Sequence, residues 1–147
     1  MTVVIRDVAP VDRPQWDLLW KGYLEFYKVA IPDAVTDTTW SRFFDQAEPV
    51  NCMVAEDGGK LAGLVHYVFH RNTWMVEDVC YLEDLFTSPD ARGKGVGRKL
   101  IEAVYHKAKA AGVSRVYWVT HETNKQAMIL YDKVAEKPGF VQYRKNL

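Results

Sequence analysis

Six residues, Arg92-Gly93-Lys94-Gly95-Val96-Gly97, stand between an apolar strand-like run from Cys80 to Thr87 and an amphipathic helical pattern from Arg98 to Ala111. Three glycines in five positions let the backbone turn tightly and approach a ligand closely. Free N–H groups at the start of the following helix, together with its positive dipole end, favour a dianion, and Arg98 and Lys99 add charge nearby. The segment therefore has the makings of a pyrophosphate cradle. Other phosphate loops fit it less well. A dinucleotide fingerprint needs G-x-G-x-x-G after the first strand of its domain, but Arg98 holds the place of the third glycine counted from Gly93, and much of the chain precedes the loop. A Walker A loop needs Ser or Thr after Gly-Lys, and Gly93-Lys94 is followed by Gly95, which offers magnesium no hydroxyl.

The cradle requires a strand before it and a helix after it. Val79 to Thr87 reads as that strand, ending at Ser88-Pro89-Asp90, and Leu100, Ile101, Val104, Ala108 and Ala111 form the apolar stripe of the helix, with Gly112 as its terminator. Val113 to Thr120 is β-branched and aromatic, which predicts a buried strand parallel to the one before the helix through a right-handed crossover. Upstream, Val3 to Val8 reads as a strand and Asp12 to Tyr27 as a helix in which Trp16, Leu19, Trp20, Tyr23, Leu24 and Tyr27 recur at helical spacing. Pro32 breaks the chain, and a short helix is predicted from Thr38 to Phe44 with Asp37 as N-cap. Asn51 to Glu56 and Leu61 to Phe69 form a hairpin across Asp57-Gly58-Gly59-Lys60. A last helix, Lys125 to Val134 with Asn124 as N-cap, leads through Lys137-Pro138-Gly139 to a predicted strand at Phe140 to Arg144. The fold class expected is α/β (α+β): a mixed, mostly antiparallel central sheet with one parallel βαβ crossover and flanking helices.

At 147 residues the chain suits one domain, 1–147, with a core large enough to fold without staples. Its 19 basic and 19 acidic residues balance, which gives no general electrostatic reason to bind nucleic acid. Cys52 and Cys80 lack the framework of a disulfide-rich or zinc-ribbon protein and read as buried thiols. His66 and His70 share a strand face, but at about 3.3 Å of rise per residue they stand too far apart to chelate one metal easily, so no metal is expected. No apolar run approaches the roughly 18 residues that cross a bilayer, and no signal-peptide pattern opens the chain; a cytoplasmic protein without membrane contact is expected.

The strand–loop–helix order and the spacing Arg-x-x-Gly-x-Gly, matched at Arg92, Gly95 and Gly97, resemble the acetyl-CoA loop of the GCN5-related N-acetyltransferases (GNAT). The element order extends the resemblance over nearly the whole chain, and its specific part runs from Tyr81 to Phe140. Tyr81-Leu82-Glu83-Asp84-Leu85-Phe86 looks like the segment before the glycine loop in diamine (spermidine/spermine) acetyltransferases, and Asn124 with Leu130-Tyr131 looks like the family's late Asn and catalytic Tyr. Leu19-Trp20-Lys21-Gly22-Tyr23 through Phe26-Tyr27 to Pro32-Asp33, with Val116-Tyr117-Trp118, is similar to the yeast branch that acetylates histones, polyamines and D-amino acids. The two likenesses agree on the reaction and differ on the acceptor. One stretch departs from the family pattern: Val134 to Pro138 lengthens the connection from the Leu-Tyr pair to Gly139-Phe140.

Acyl transfer from a thioester to an amine needs a neutral nucleophile, an aligned carbonyl, a place for oxyanion charge and an acid for the departing thiolate. An alkylammonium ionises near a pKa of about 10.4, so a base must take its proton before attack. Glu83 is the first choice, directly or through water, with His121 as runner-up. Strand alternation puts Glu83 and Asp84 on opposite faces, so only one should face the substrate unless a bulge intervenes. The resemblance gives Tyr131 the acid role; it lies two helical turns after Asn124, which would pair with the pantetheine arm or merely cap its helix. It also implies splayed strands at Leu85 to Thr87 and Trp118 to Thr120, a slot in which a backbone N–H near Leu85 polarises the thioester while Phe86 and Thr87 pair with the cofactor arm. The cofactor-binding set is then Leu85, Phe86, Thr87, Arg92, Gly93, Lys94, Gly95, Val96, Gly97, Arg98 and Asn124, and the cosubstrate is acetyl-CoA.

Carboxylates beside aromatic faces suit a cationic amine, which makes Glu83, Asp84, Tyr27 and Trp74 the candidate substrate-binding residues. The acceptor expected is a primary amine, either a small molecule such as a polyamine or amino acid, or a lysine side chain. The competing class is a catalytically silent acyl-CoA-binding regulatory module, which would keep the glycine loop without needing Glu83 or Tyr131. Homodimerisation is implied by the resemblance alone.

Overall fold

A computed structural model of the protein, describing residues 2–147, contains one five-stranded sheet: β1 (Val3–Asp7), β2 (Val50–Asp57), β3 (Lys60–His70), β4 (Val79–Thr87) and β5 (Val116–Tyr117), side by side in that order. The first three junctions are antiparallel and the β4–β5 junction is parallel. The sheet is therefore mixed and mostly antiparallel, with the parallel crossover made by α3 (Val96–Ala110), as the sequence patterns require. α1 (Arg13–Phe26) and α2 (Asp33–Arg42) lie on the opposite face from α3, and α4 (Lys125–Val134) follows β5.

Alternation along the strands divides the buried residues into two cores. Met53, Val65, Tyr67 and Leu82 pack with Leu100, Ile101 and Val104 of α3, while Val54, Leu64 and Phe86 pack with Trp16, Leu19 and Trp20 of α1. α3 approaches the sheet so closely at Gly63 that a Cβ there would lie 2.8 Å from the Phe86 carbonyl oxygen and 3.1 Å from Leu100 and Val96. The start of α1 is tied to β1 by a bidentate pair, Arg6 Nη1 and Nη2 donating to Asp12 Oδ2 and Oδ1 at 2.8 and 2.9 Å. Asp12 also accepts from the Ala9 N–H at 2.7 Å, which fixes the turn one step ahead of Trp16.

Three expectations are corrected. α2 begins at Asp33, directly after Pro32, and not at Thr38; the Pro32 carbonyl accepts the first helical amides, from Val35 at 3.0 Å and Thr36 at 3.4 Å. Asp37 is thus inside the helix, where its carboxylate accepts from Arg13 Nη2 at 2.6 Å and caps nothing. β5 spans two residues in place of the predicted Val113 to Thr120. The Val113 N–H is spent on Ala108 O at 2.9 Å, closing the end of α3, and Trp118 turns to pack on Tyr105 and Tyr131. Phe140 to Arg144 forms no strand: strand propensity names no partner, and Phe140, Val141 and Tyr143 are 80%, 76% and 92% exposed.

α1 ends without the glycine its geometry favours. Val29 N–H bonds Leu24 O at 2.9 Å and Lys28 N–H bonds Glu25 O at 3.0 Å, the Schellman pattern, which forces Lys28 to φ 55°. A side chain at that φ costs free energy that glycine avoids. Lys28→Gly is expected to raise the unfolding free energy by about 0.5–1 kcal/mol in urea melts with an unchanged m-value; a loss of stability would contradict the strained cap.

Candidate functional site

The glycine loop is built as the spacing predicts. Gly93 and Gly95 sit at φ 77° and 79°, and an added Cβ would meet nothing within 4 Å of either, so backbone conformation and not crowding selects glycine there. Gly95 is the N-cap of α3 and has no side chain to cap it. The helical ladder begins with Lys99 N–H bonding Gly95 O at 3.1 Å, so the amides of Val96, Gly97 and Arg98 precede it and are available to an anion. At Gly97 a Cβ would lie 3.6 Å from Leu130 Cδ2 and 3.8 Å from Thr87 Oγ1, so the loop, the end of β4 and α4 converge at this point.

Arg92 faces elsewhere. Its Nε donates to Thr87 O at 3.1 Å and its guanidinium lies over the rings of Phe86 and Phe26, 5.5 and 5.9 Å from their centroids. It braces the loop against α1, while Lys94, Arg98 and Lys99 are the basic side chains left around the open amides.

β4 loses its parallel partner early. Pairing with β5 is confined to Cys80 with Val116 and Tyr81 with Tyr117, so Leu82 to Thr87 run on beside β3 alone while 118–124 diverge. The gap is walled by Trp118 and by Tyr131, whose ring meets Trp118 edge-on at 5.4 Å. Tyr105 Oη donates to Val134 O at 2.8 Å and fixes the end of α4 to α3. Asn124 occupies the N-cap position of α4, but its side chain makes no capping bond and donates instead to Thr120 Oγ1 at 3.1 Å, tying α4 to the diverging segment.

The two carboxylates are arranged by a bulge. His66 pairs with Asp84 and Tyr67 with Leu82, so Glu83 is an extra residue on β4. The bulge re-phases the strand: Leu82 and Leu85 both face α3, while Asp84 and Phe86 face α1. Asp84 is thereby buried against the first helix, and Glu83 stands exposed beside it. Partial loss of solvent around its carboxyl and then repulsion by Asp84 push Glu83 above the ordinary glutamate range; the opposing pull that a cationic His66 would exert is smaller. Tyr23 and Tyr27, with ring centroids 4.8 Å apart on α1, complete this wall, and both phenols are pushed up by burial first and Asp84 second. Tyr131 is pushed up to about 12 by burial and then by Tyr27, which places its phenol in electrostatic reach of the same cluster.

Glu83, Asp84, Tyr27 and Tyr131 thus lie within electrostatic reach of one another in a chain of neighbours. Trp74 is not among them: it is 78% exposed and lines an open depression of about 400 Å³ with Arg71, Arg115 and Phe140. His121 is exposed, its Nδ1 engaged by Thr123 Oγ1 at 2.7 Å. Sequence reasoning missed His66 and Trp16. The His66 ring is buried with Nδ1 2.9 Å from Asp84 Oδ2, and Nε2 accepts from Trp16 Nε1 at 3.1 Å. His70 is separate, bonded to Tyr117 Oη at 2.6 Å. The hairpin turn gives the phase of His66, but only the bulge reveals its partner.

Three comparisons bear on this site. The model of the acetyltransferase (GNAT) family matches residues 16–135. The D-amino-acid N-acetyltransferase of Saccharomyces cerevisiae is 42% identical over 146 residues, covering 98% of this chain and 91% of that protein. The thialysine N-epsilon-acetyltransferase of Bos taurus is 33% identical over 96 residues, covering 60% of this chain and 56% of that one. Among solved structures, the aminoglycoside N-acetyltransferase AAC(6')-Iy, in complex with a CoA-containing bisubstrate analogue, superposes with a TM-score of 0.82 over 100% of both chains at 20% identity, a likeness of fold.

The environment of Tyr131 is open to a direct test. Difference ultraviolet titration of wild type against Tyr131→Phe should show one phenol ionising near pH 12, and stability should fall as pH rises from about 10, where an unfolded tyrosine ionises, towards that value. A Tyr131 phenol titrating near 10 would contradict the burial described.

Proposed function

The chain belongs to the acetyltransferase (GNAT) family, and from that premise we propose how it moves the acetyl group of acetyl-CoA to a primary amine: by direct attack within a ternary complex. The observation that carries this reading is the parting of β4 and β5 after Tyr81 and Tyr117, in line with the open amides at the start of α3. Acetyl-CoA would supply the activated acetyl group. The N–H groups around Gly95, Val96 and Gly97, with Gly93, Lys94 and Arg98, are suited to its pyrophosphate. The edge from Leu85 through Phe86 to Thr87, left unpaired by β5, and Asn124 at the start of α4 are suited to its amide-bearing arm, with the Leu85 N–H at the thioester carbonyl.

The remaining steps belong to side chains. Glu83 takes the proton of the bound ammonium, directly or through water, and its raised proton affinity brings it nearer the working pH. Asp84, Tyr23 and Tyr27 give that ammonium an anionic and aromatic surround. Tyr131 donates a hydrogen bond to the sulfur as the thiolate forms; because a phenol near 12 is a weaker acid than a thiol at about 8.5, the proton is shared within that bond and not given up freely. The acceptor class stays as the sequence leaves it: a polyamine, an amino acid or a lysine side chain. The relatives' names point to amino-acid amines, which places D-amino acids and thialysine first among the compounds to try.

The assay is acetyl-CoA turnover over an amine panel. Tyr131→Phe and Glu83→Gln are each expected to lower kcat/KM by about 100-fold or more, with CoA affinity unchanged by calorimetry. Gly95→Ala is expected to weaken CoA affinity by about tenfold through the forced φ. Tight CoA binding with no turnover on any amine would favour a silent acyl-CoA-binding module.

A homodimer is part of the same proposal, as is a single domain spanning 1–147 in the cytoplasm. The pairing is supported by the exposed Phe140, Val141 and Tyr143 and by a β5 with only β4 as partner among the described residues. Light scattering should give a two-copy mass, and truncation after Pro138 a one-copy mass; a one-copy mass for the full chain would remove the proposal. No helix among the described residues is long and apolar enough to cross a membrane, and the balanced charge gives no general electrostatic reason to bind nucleic acid.

A further inference from the structure

His66 is more than half of a buried ion pair. Its ring is 3% exposed and surrounded by aromatic neighbours, with centroids 4.9 Å from Trp20, 5.0 Å from Phe43 and 5.8 Å from Trp16. Both nitrogens are engaged, and the partners determine how. An indole N–H can only donate, so Trp16 Nε1 at 3.1 Å requires a bare lone pair on Nε2. The single ring proton then sits on Nδ1 and points at Asp84 Oδ2, 2.9 Å away. A second proton on Nε2 would set two donors against each other inside an aromatic cage. The imidazole is therefore neutral, and the His66–Asp84 pair carries one full negative charge.

We propose that Trp16 and His66 are positioning residues for catalysis: the indole N–H fixes the imidazole as its neutral Nδ1–H form, which holds Asp84 as an anion directly beside Glu83. The inference rests on the reading of Glu83 as the base that takes the ammonium proton. A neutral His–Asp pair and a charged one differ in what Glu83 experiences. With His66 neutral, Glu83 adjoins an uncompensated carboxylate and holds its proton more tightly, which makes it the stronger base. With His66 protonated, the pair would be an internal salt with little field left for Glu83. The bulge makes the arrangement work, because it places Asp84 on the α1 side under Trp16 while leaving Glu83 in the open gap.

The other groups facing these residues do not substitute for this control. Tyr23 and Tyr27 on α1, Tyr81 on β4 and Tyr117 on β5 face Glu83 or Asp84, and all four phenols are pushed to higher pKa, so they stay neutral across the working range. Cys52 on β2 faces Asp84 and is likewise held as the thiol by burial. Among the described residues, the ionic groups that act on Glu83 are Asp84 and His66.

The test has three measurements. Nitrogen-15 correlation of the His66 ring in the intact wild-type protein at pH 7 should show a proton on Nδ1 and a bare Nε2; a proton on Nε2 overturns the proposal without any variant being made. Carboxyl carbon-13 titration of Glu83 in the resting protein should then show its midpoint falling by about half a pH unit or more in Trp16→Phe, where Nε2 is freed to take a proton, and in Asp84→Asn, where the charge is deleted. An unchanged Glu83 midpoint in either variant that keeps its fold overturns the coupling. Finally, the acid limb of the kcat/KM profile should move with the Glu83 midpoint. If the midpoint shifts and the limb does not, the coupling stands and Glu83 is not the base, which separates this inference from the reading beneath it.

Discussion

The extra residue at Glu83 is the constraint on which the site depends. One unpaired position on β4, opposite the step from His66 to Tyr67, reverses the parity of everything after it. Without it, Asp84 would follow Leu82 onto the α3 face, a carboxylate buried among Leu100, Ile101 and Val104 with no donor to meet it. With it, Asp84 passes to the α1 side and finds His66, Glu83 remains in solvent, and Leu85 and Thr87 return to the α3 face in phase with the glycine loop. Two adjacent carboxylates are thus given opposite surroundings, one buried against a histidine and one open to the gap.

The two helical layers have distinct tasks around that point. α3 presents its amide-rich start to one end of β4, and Gly63 allows it to approach close enough for loop, strand and α4 to meet. α1 supplies the aromatic wall, and its placement is set early, by the Arg6–Asp12 clamp and by Trp16 reaching into the sheet. Arg92, spread over Phe86 and Phe26, connects the layers, so the loop that would bind the anion is braced by the helix that would flank the acceptor.

Much of this was legible in the chain. β4 and α4 have the bounds that their turn and cap residues give, because Pro fixes its own φ while Gly and Asn tolerate the angles at which an element ends. α2 was misplaced because Asp37 has the chemistry of a cap, while Pro32 already has the geometry of one. β5 and the run from Phe140 to Arg144 were overread for a common reason: branched and aromatic residues state a preference for extension but not the presence of a neighbour. Glu83 and Tyr131 could be named as candidates by type and place. The contacts of His66 could not, since they come from a register shift belonging to two strands at once and from an indole fifty positions away.

The brevity of β5 has a mechanical meaning. The sheet is continuous through four strands, but its last seam is fastened at only two residue pairs, Cys80–Val116 and Tyr81–Tyr117. From Trp118 onward no strand pairing continues among the described residues; the chain is held by the packing of Trp118, Leu130, Tyr131 and Val134 on the α3 core and by the Tyr105–Val134 bond. The two sides of the gap are thus fastened by different forces: directional main-chain bonds keep β4 in register, while side-chain burial holds the far wall against α3.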